Sequence, residues 1–316
     1  MKSAVRAGVK PQWRCAHVDG AVVEYFECGA GEPVVFLHGW GLTPRTYTDA
    51  ITRLVSAGVR IIAPSLPGFG ASTPLTGDLT MSAYAGRIAA LLDHLDLDHP
   101  VFLMGHSLGG GVALQLASER PDLVRSLTLL NTVGGSPPPD VATTRSRRFA
   151  AMTSRPWWQW ALAVAVEVDP RSVRELRPRG VHRLVVGALR DFVPSAVRHP
   201  LSMVRSARLA LGADLAEVAQ ALIDDGVPVL FIWGDRDRLM TPGAFSAVTA
   251  SLPPETVKGR HGWLLTAPEA FAELLRNALV VHAMLERLQR GQAVGAPRTA
   301  SIAEFIPAER RRRTRR

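Results

Sequence analysis

The chain has 316 residues, 47% of them hydrophobic, enough to bury a sizeable core in one large domain or two small ones and too many for global disorder. Its formal charge of +9 at pH 7 is concentrated: nine arginines against three glutamates lie between Glu286 and Arg316, and thirteen arginines against eight acidic residues between Ser136 and Asp224. A near-neutral body with a basic insert and a basic tail, lacking zinc-finger spacing, an RNA-recognition signature or a basic zipper, excludes a dedicated nucleic-acid-binding fold.

Met1 to Arg14 lacks the apolar core of a signal peptide, and the longest apolar stretch, Trp157 to Val168, is interrupted by Gln159 and Glu167 and too short to span a bilayer. A soluble, cytoplasmic protein is expected. Trp13 to Cys28 reads as an edge hairpin turning at Asp19-Gly20, which sets Cys15 opposite Glu24 rather than Cys28 and argues against a disulfide. Apolar runs rich in β-branched residues follow at Val34 to Leu37, Val59 to Ala63, Val101 to Met104, Leu127 to Leu130 and Val227 to Trp233. They show little polar alternation, so both faces are expected to be buried. Helical patterns at Met81 to Leu95 and Leu108 to Glu119 lie between them, and strands alternating with helices predict a mostly parallel sheet covered on both sides.

The rhythm breaks after Ser136-Pro137-Pro138-Pro139, where an Arg-rich, helical pattern containing Trp157, Trp158 and Trp160 begins. The expected organisation is therefore a first half of an α/β core (residues 1–135), a helical lid (136–222), a second half of the core (223–290) closed by a helix at Pro268 to Arg290, and a basic, disordered tail (291–316). Trp157 and Trp160 are candidates to line an apolar substrate pocket, with the lid's own core as the competing role. The arginines of the tail could touch an anionic membrane surface, although a solvated tail is the simpler reading.

The sharpest signal is Gly105-His106-Ser107-Leu108-Gly109, a G-x-S-x-G motif placed after one apolar strand and before a helix. Such a turn lifts a serine hydroxyl above the sheet and leaves no room for a Cβ on either side, which is why glycines flank it. The helix that follows starts at the same point, so its free N–H groups face the place where negative charge would develop. Leu108 N–H is one candidate donor to an oxyanion. Trp40 N–H, in the His38-Gly39-Trp40 loop that ends an earlier strand, is the other.

A serine hydroxyl needs a base, and the base an orienting acid. Of nine histidines, His261 follows the last strand pattern, Glu255 to Lys258, and precedes the closing helix. His106 should point away from its neighbour Ser107, and His38 suits support of the oxyanion loop. The acid is expected in Gly234-Asp235-Arg236-Asp237-Arg238. Asp237 is the choice, with Asp235 capping the turn; Asn131, after Leu127 to Leu130, stands where an alternative acid could have been.

With these residues in place, Trp13 to Leu285 resembles the capped α/β-hydrolase superfamily. His38-Gly39-Trp40, Pro67-Gly68-Phe69-Gly70, Gly105 to Gly110, Gly234 to Asp237 and His261 occur in that superfamily's order. The resemblance implies the α/β-hydrolase fold, with Ser107 as nucleophile, His261 as base and Asp237 as acid, without cofactor or metal. Serine at the elbow argues against haloalkane dehalogenases and epoxide hydrolases, and the loop lacks the H-G-G-P-G of proline iminopeptidases. Trp40 is similar to the residue of small bacterial esterases and cofactor-free perhydrolases, although Gly41 replaces a frequent proline. Cleavage of a small to medium apolar ester is expected. Carbon–carbon bond hydrolysis and a low-turnover ligand-binding module are the alternatives.

Overall fold

The computed structural model describes residues 9–135, 178–237 and 254–291, together with 239, 240, 245, 248 and 252. Trp157, Trp160, the first half of the expected lid and the basic tail lie outside the described residues. The chain opens with strands β1 (Val9–Val18), β2 (Ala21–Gly29) and β3 (Glu32–Leu37), helix α1 (Pro44–Ile51), a 3-10 turn (Thr52–Ala57) and β4 (Val59–Pro64). Helix α2 (Met81–Leu95), β5 (Val101–His106), α3 (Leu108–Glu119) and β6 (Val124–Leu130) follow. Helices α4 (Pro178–Arg198), α5 (Pro200–Gly212) and α6 (Ala216–Asp224) lead to β7 (Val229–Gly234), β8 (Glu255–Val257), α7 (Trp263–Thr266) and α8 (Pro268–Gly291).

The eight strands form one sheet in the order β1-β2-β4-β3-β5-β6-β7-β8. Only the β1–β2 and β2–β4 pairs are antiparallel. The edge hairpin has the expected register, Cys15 opposite Glu24, with Asp19 and Gly20 at positive φ in the turn; both cysteines are free. Consecutive residues of the central strands enter different cores. Val35, Leu37 and Leu103 pack beneath α2 and α3, whereas Val34, Phe36, Phe102 and Met104 pack beneath α1 and α8. Burial on both faces is the physical reason that these strands read as continuous apolar runs.

Local chemistry fixes the helix starts. Thr80 caps α2 through Ala83 N–H at 3.0 Å, and Thr43 caps α1 through Arg45 N–H at 3.2 Å. Helix α6 packs against α3, and Ala219 and Leu222 enter the same core cluster as Phe192 and Ala196 of α4 and Met203 and Ala210 of α5. The apolar face of α6 is continuous with the sheet's own covering layer. Among the described residues no helix is long and apolar enough to cross a membrane.

Candidate active site

The parallel strands deliver their following loops to one edge of the sheet, the position at which open α/β folds bind ligands. There β3 runs into His38-Gly39-Trp40, β5 into Ser107, β6 into Asn131, β7 into Asp237 and β8 into His261. The three side chains selected from the sequence stand together. Ser107 Oγ lies 2.9 Å from His261 Nε2, and His261 Nδ1 lies 2.8 Å from Asp237 Oδ2. These contacts span 154 and 24 residues of sequence, and all three residues are largely withdrawn from solvent. With Nδ1–H donating to the carboxylate, Nε2 is left to accept the Ser107 hydroxyl proton.

Ser107 has φ +53° and ψ −117°, outside the conformations an L residue adopts without strain. The surrounding glycines make that turn possible. A Cβ on Gly105 would sit 2.4 Å from Gly109 O, and one on Gly109 2.4 Å from Leu37 O and 2.7 Å from His38 O. The start of α3 therefore abuts the end of β3, and the segments carrying Leu108 and Trp40 are in direct contact. Gly110 and Gly111 face Thr132 and Val133 closely enough that a Cβ would overlap either, so the helix lies hard against the segment that follows β6.

Two further histidines brace this arrangement. His38 Nε2 accepts Leu66 N–H at 2.8 Å, which assigns its proton to Nδ1, donating to Gly39 O at 2.8 Å. Burial pushes its pKa down to about 4, so it stays neutral and stiffens the loop that leads to Trp40. His106 turns away from Ser107, as expected. Tyr47 Oη accepts Gly39 N–H at 3.2 Å and pairs with His106 Nδ1 at 2.9 Å, while His106 Nε2 faces His261 O at 3.2 Å. One proton order satisfies the chain: Tyr47 donates to Nδ1, and Nε2–H donates to the His261 carbonyl. Burial first, and the neighbouring His261 second, hold His106 well below the ordinary imidazole value.

The two aspartates of the β7 loop have different surroundings. Asp237 Oδ1 accepts Leu239 N–H at 2.8 Å and Met240 N–H at 3.0 Å, leaving Oδ2 for His261. Asp235 Oδ1 accepts Gly259 N–H at 2.8 Å and so ties the β7 loop to the loop bearing His261. Asn131 is the residue the sequence argument undervalued. Its Nδ2 donates to Asp237 Oδ2, and its Oδ1 accepts Trp263 Nε1–H at 2.8 Å, so it joins the acid to the helix after the base. Its positive φ of 45° and its place after β6 are the only local signs of that role. Of the remaining histidines, His94 and His99 are exposed and His282 is buried beside Thr128. No cluster of three or more metal-ligating side chains occurs among the described residues.

Comparison with known proteins gives a consistent picture. Residues 32–261 match the family model described as the alpha/beta hydrolase fold. A relative from Aromatoleum aromaticum, named pimeloyl-[acyl-carrier protein] methyl ester esterase, is 33% identical over 264 residues, covering 78% of this chain and 97% of its own. A relative from Mycobacterium phage D29, named "Putative non-heme haloperoxidase", is 30% identical over 265 residues, covering 83% and 92%. Among solved structures, a thermophilic esterase from Thermogutta terrifontis superposes with a TM-score of 0.69 at 23% identity, over 86% of this chain and 99% of that one, a likeness of fold. The eight-stranded, mostly parallel sheet and the family match over more than two thirds of the sequence lead to one statement: this chain belongs to the alpha/beta hydrolase family.

Proposed function

We propose that the protein is a serine hydrolase that cleaves a small to medium apolar carboxylic ester through an acyl-enzyme intermediate. The observation that carries the reading is the unbroken chain from Ser107 Oγ through His261 to Asp237, placed at the first turn of α3. In the first step His261 Nε2 takes the Ser107 proton as Oγ attacks the carbonyl carbon. The oxyanion that forms is held by Leu108 and Trp40 N–H groups, and Asp237 stabilises the imidazolium. Collapse of the intermediate returns the proton to the departing alkoxide and leaves an ester on Ser107. Water, deprotonated by the same imidazole, then releases the acid. An ester bond is favoured because it makes no demand beyond these groups, and because one relative carries an ester-hydrolase name at 33% identity.

A panel of p-nitrophenyl esters and a fluorophosphonate probe test this directly. The wild-type protein is expected to turn over short and medium acyl esters and to label at Ser107, and Ser107→Ala to do neither. Wild-type protein that neither labels nor cleaves any member of the panel sinks the proposal. A profile that rises with acyl length in wild type and flattens in Trp157→Ala assigns an acyl pocket to the lid tryptophans.

A further inference from the structure

The loop between β3 and α1 carries Trp40, and helices α4 and α5 grip it at both ends. At one end the Trp40 indole N–H donates to Met203 O at 3.0 Å and Ser206 Oγ at 3.1 Å, both on α5, and its ring meets Phe192 of α4 edge-on at 5.7 Å between centroids. At the other end Asp191 of α4 accepts three donors on one oxygen. Thr43 N–H lies 3.0 Å from Asp191 Oδ2, Thr43 Oγ1 2.7 Å and Thr46 Oγ1 2.5 Å. Only Gly41, at φ +76°, and the buried Leu42 separate the two anchors, and Leu42 N–H closes back on Gly39 O at 3.3 Å. A segment this short has little freedom once both ends are fixed, so the direction of the Trp40 main-chain N–H follows from them.

Asp191 is a costly choice for a merely structural contact. Its side chain is 1% exposed, and among the described residues its Oδ1 has no hydrogen-bond partner and pairs only with Arg190 Nε at 3.9 Å. Thr43 already caps α1 through its own hydroxyl, so the helix start does not require a carboxylate from another element. A buried, incompletely paired charge is weak evidence for stability, and fixing one geometry is the use that remains.

We infer that Asp191 is a positioning residue: through Thr43 it sets the oxyanion loop so that Trp40 N–H meets the developing negative charge beside Ser107. The inference rests on the hydrolase reading above. It makes helices α4 and α5 part of the catalytic geometry rather than only a cover over it. Charge assistance from the carboxylate holds the Thr43 end, and the paired acceptors on α5 hold the Trp40 end.

The experiment compares wild type, Asp191→Leu, Asp191→Asn and Thr43→Val on one short p-nitrophenyl ester, with every rate expressed per Ser107 labelled at endpoint by a fluorophosphonate. An oxyanion donor acts on the transition state, so kcat should fall while KM holds. Asp191→Leu is expected to lose at least about tenfold in kcat with KM within about threefold, against the about 10²–10³ typical of removing such a donor outright. Asp191→Asn keeps an acceptor for Thr43 and should recover part of the loss, and Thr43→Val should lose a few-fold. Should Asp191→Leu fail to fold, the other two carry the test, since each leaves Thr43 N–H an acceptor. Unchanged kcat per labelled site in Asp191→Asn and Thr43→Val overturns the inference while leaving the hydrolase reading intact. Wild type that neither labels nor hydrolyses overturns the hydrolase reading, and this inference with it.

Discussion

An acid that orients a histidine must present an acceptor to Nδ1–H and nothing that could donate. Asp237 meets that requirement because two main-chain N–H groups fix Oδ1 while Oδ2 faces both His261 and the Asn131 amide. In Asp237→Asn the amide oxygen would be drawn to those donors on one side, leaving the NH2 group against His261 and forcing the wrong tautomer. The expected result is a fall in kcat of about 10⁴-fold with KM little changed. Asp235→Asn keeps an acceptor for Gly259 N–H and is expected to stay within a few-fold of wild type. Steady-state kinetics on a nitrophenyl ester check both, and the opposite ranking would move the acid to Asp235. Asn131→Ala gives a milder outcome: Trp263 Nε1–H loses its acceptor and Asp237 one of its donors. A stability loss of about 1–3 kcal/mol is expected, with a several-fold drop in kcat. Urea denaturation beside the same kinetics measures the two effects separately.

At the level of elements, the elbow holds because α3 can approach β3 to within main-chain contact. Gly109→Ala would place a methyl group 2.4 Å from Leu37 O, against backbone that cannot swing aside. The expected outcome is a loss of several kcal/mol or failure to fold, whereas Gly86→Ala on α2, where a Cβ meets nothing within 4 Å, should be neutral or gain up to about 1 kcal/mol. Thermal denaturation of the two variants tests the contrast. Elements of this kind were legible because their causes are local: apolar runs mark doubly covered strands, and Gly105, Ser107 and Gly109 mark a turn by steric necessity. The order of Ser107, Asp237 and His261 was legible because parallel strands bring successive loops to one edge. What escaped the reading is contact between distant elements. Asn131 meets Asp237 across 106 residues, Tyr47 meets His106 across 59, and Asp191 meets Thr43 across 148. Nothing in the local sequence distinguishes Asp191 from a solvated helix residue.

Across the whole molecule, neutral buried histidines make stability depend on pH with a definite sign. Burial first of all lowers the pKa of His38 and of His282 to about 4, and that of His106 well below the ordinary value. In the unfolded chain each titrates near about 6.5. Above that pH neither state binds the proton, so the folded state keeps its full stability. Below it the unfolded chain takes up protons that the folded protein refuses, and stability falls as pH drops from about 6.5 toward about 4. For His38 and His282 the gap corresponds to about 3 kcal/mol each once fully developed. Asp191 works in the opposite direction: burial raises its pKa, so the folded state gains stability from it as pH falls through its raised value. The histidines outnumber it, and a net acid-side loss is expected. His282 lies on α8 against Thr128 and Phe102, away from Ser107, so it can be changed without touching the site. His282→Gln keeps a polar partner for Thr128 and cannot be protonated. Urea midpoints at pH 7.5 and pH 5 should therefore separate less in His282→Gln than in wild type, and equal separations would assign the acid loss to His38 and His106 alone.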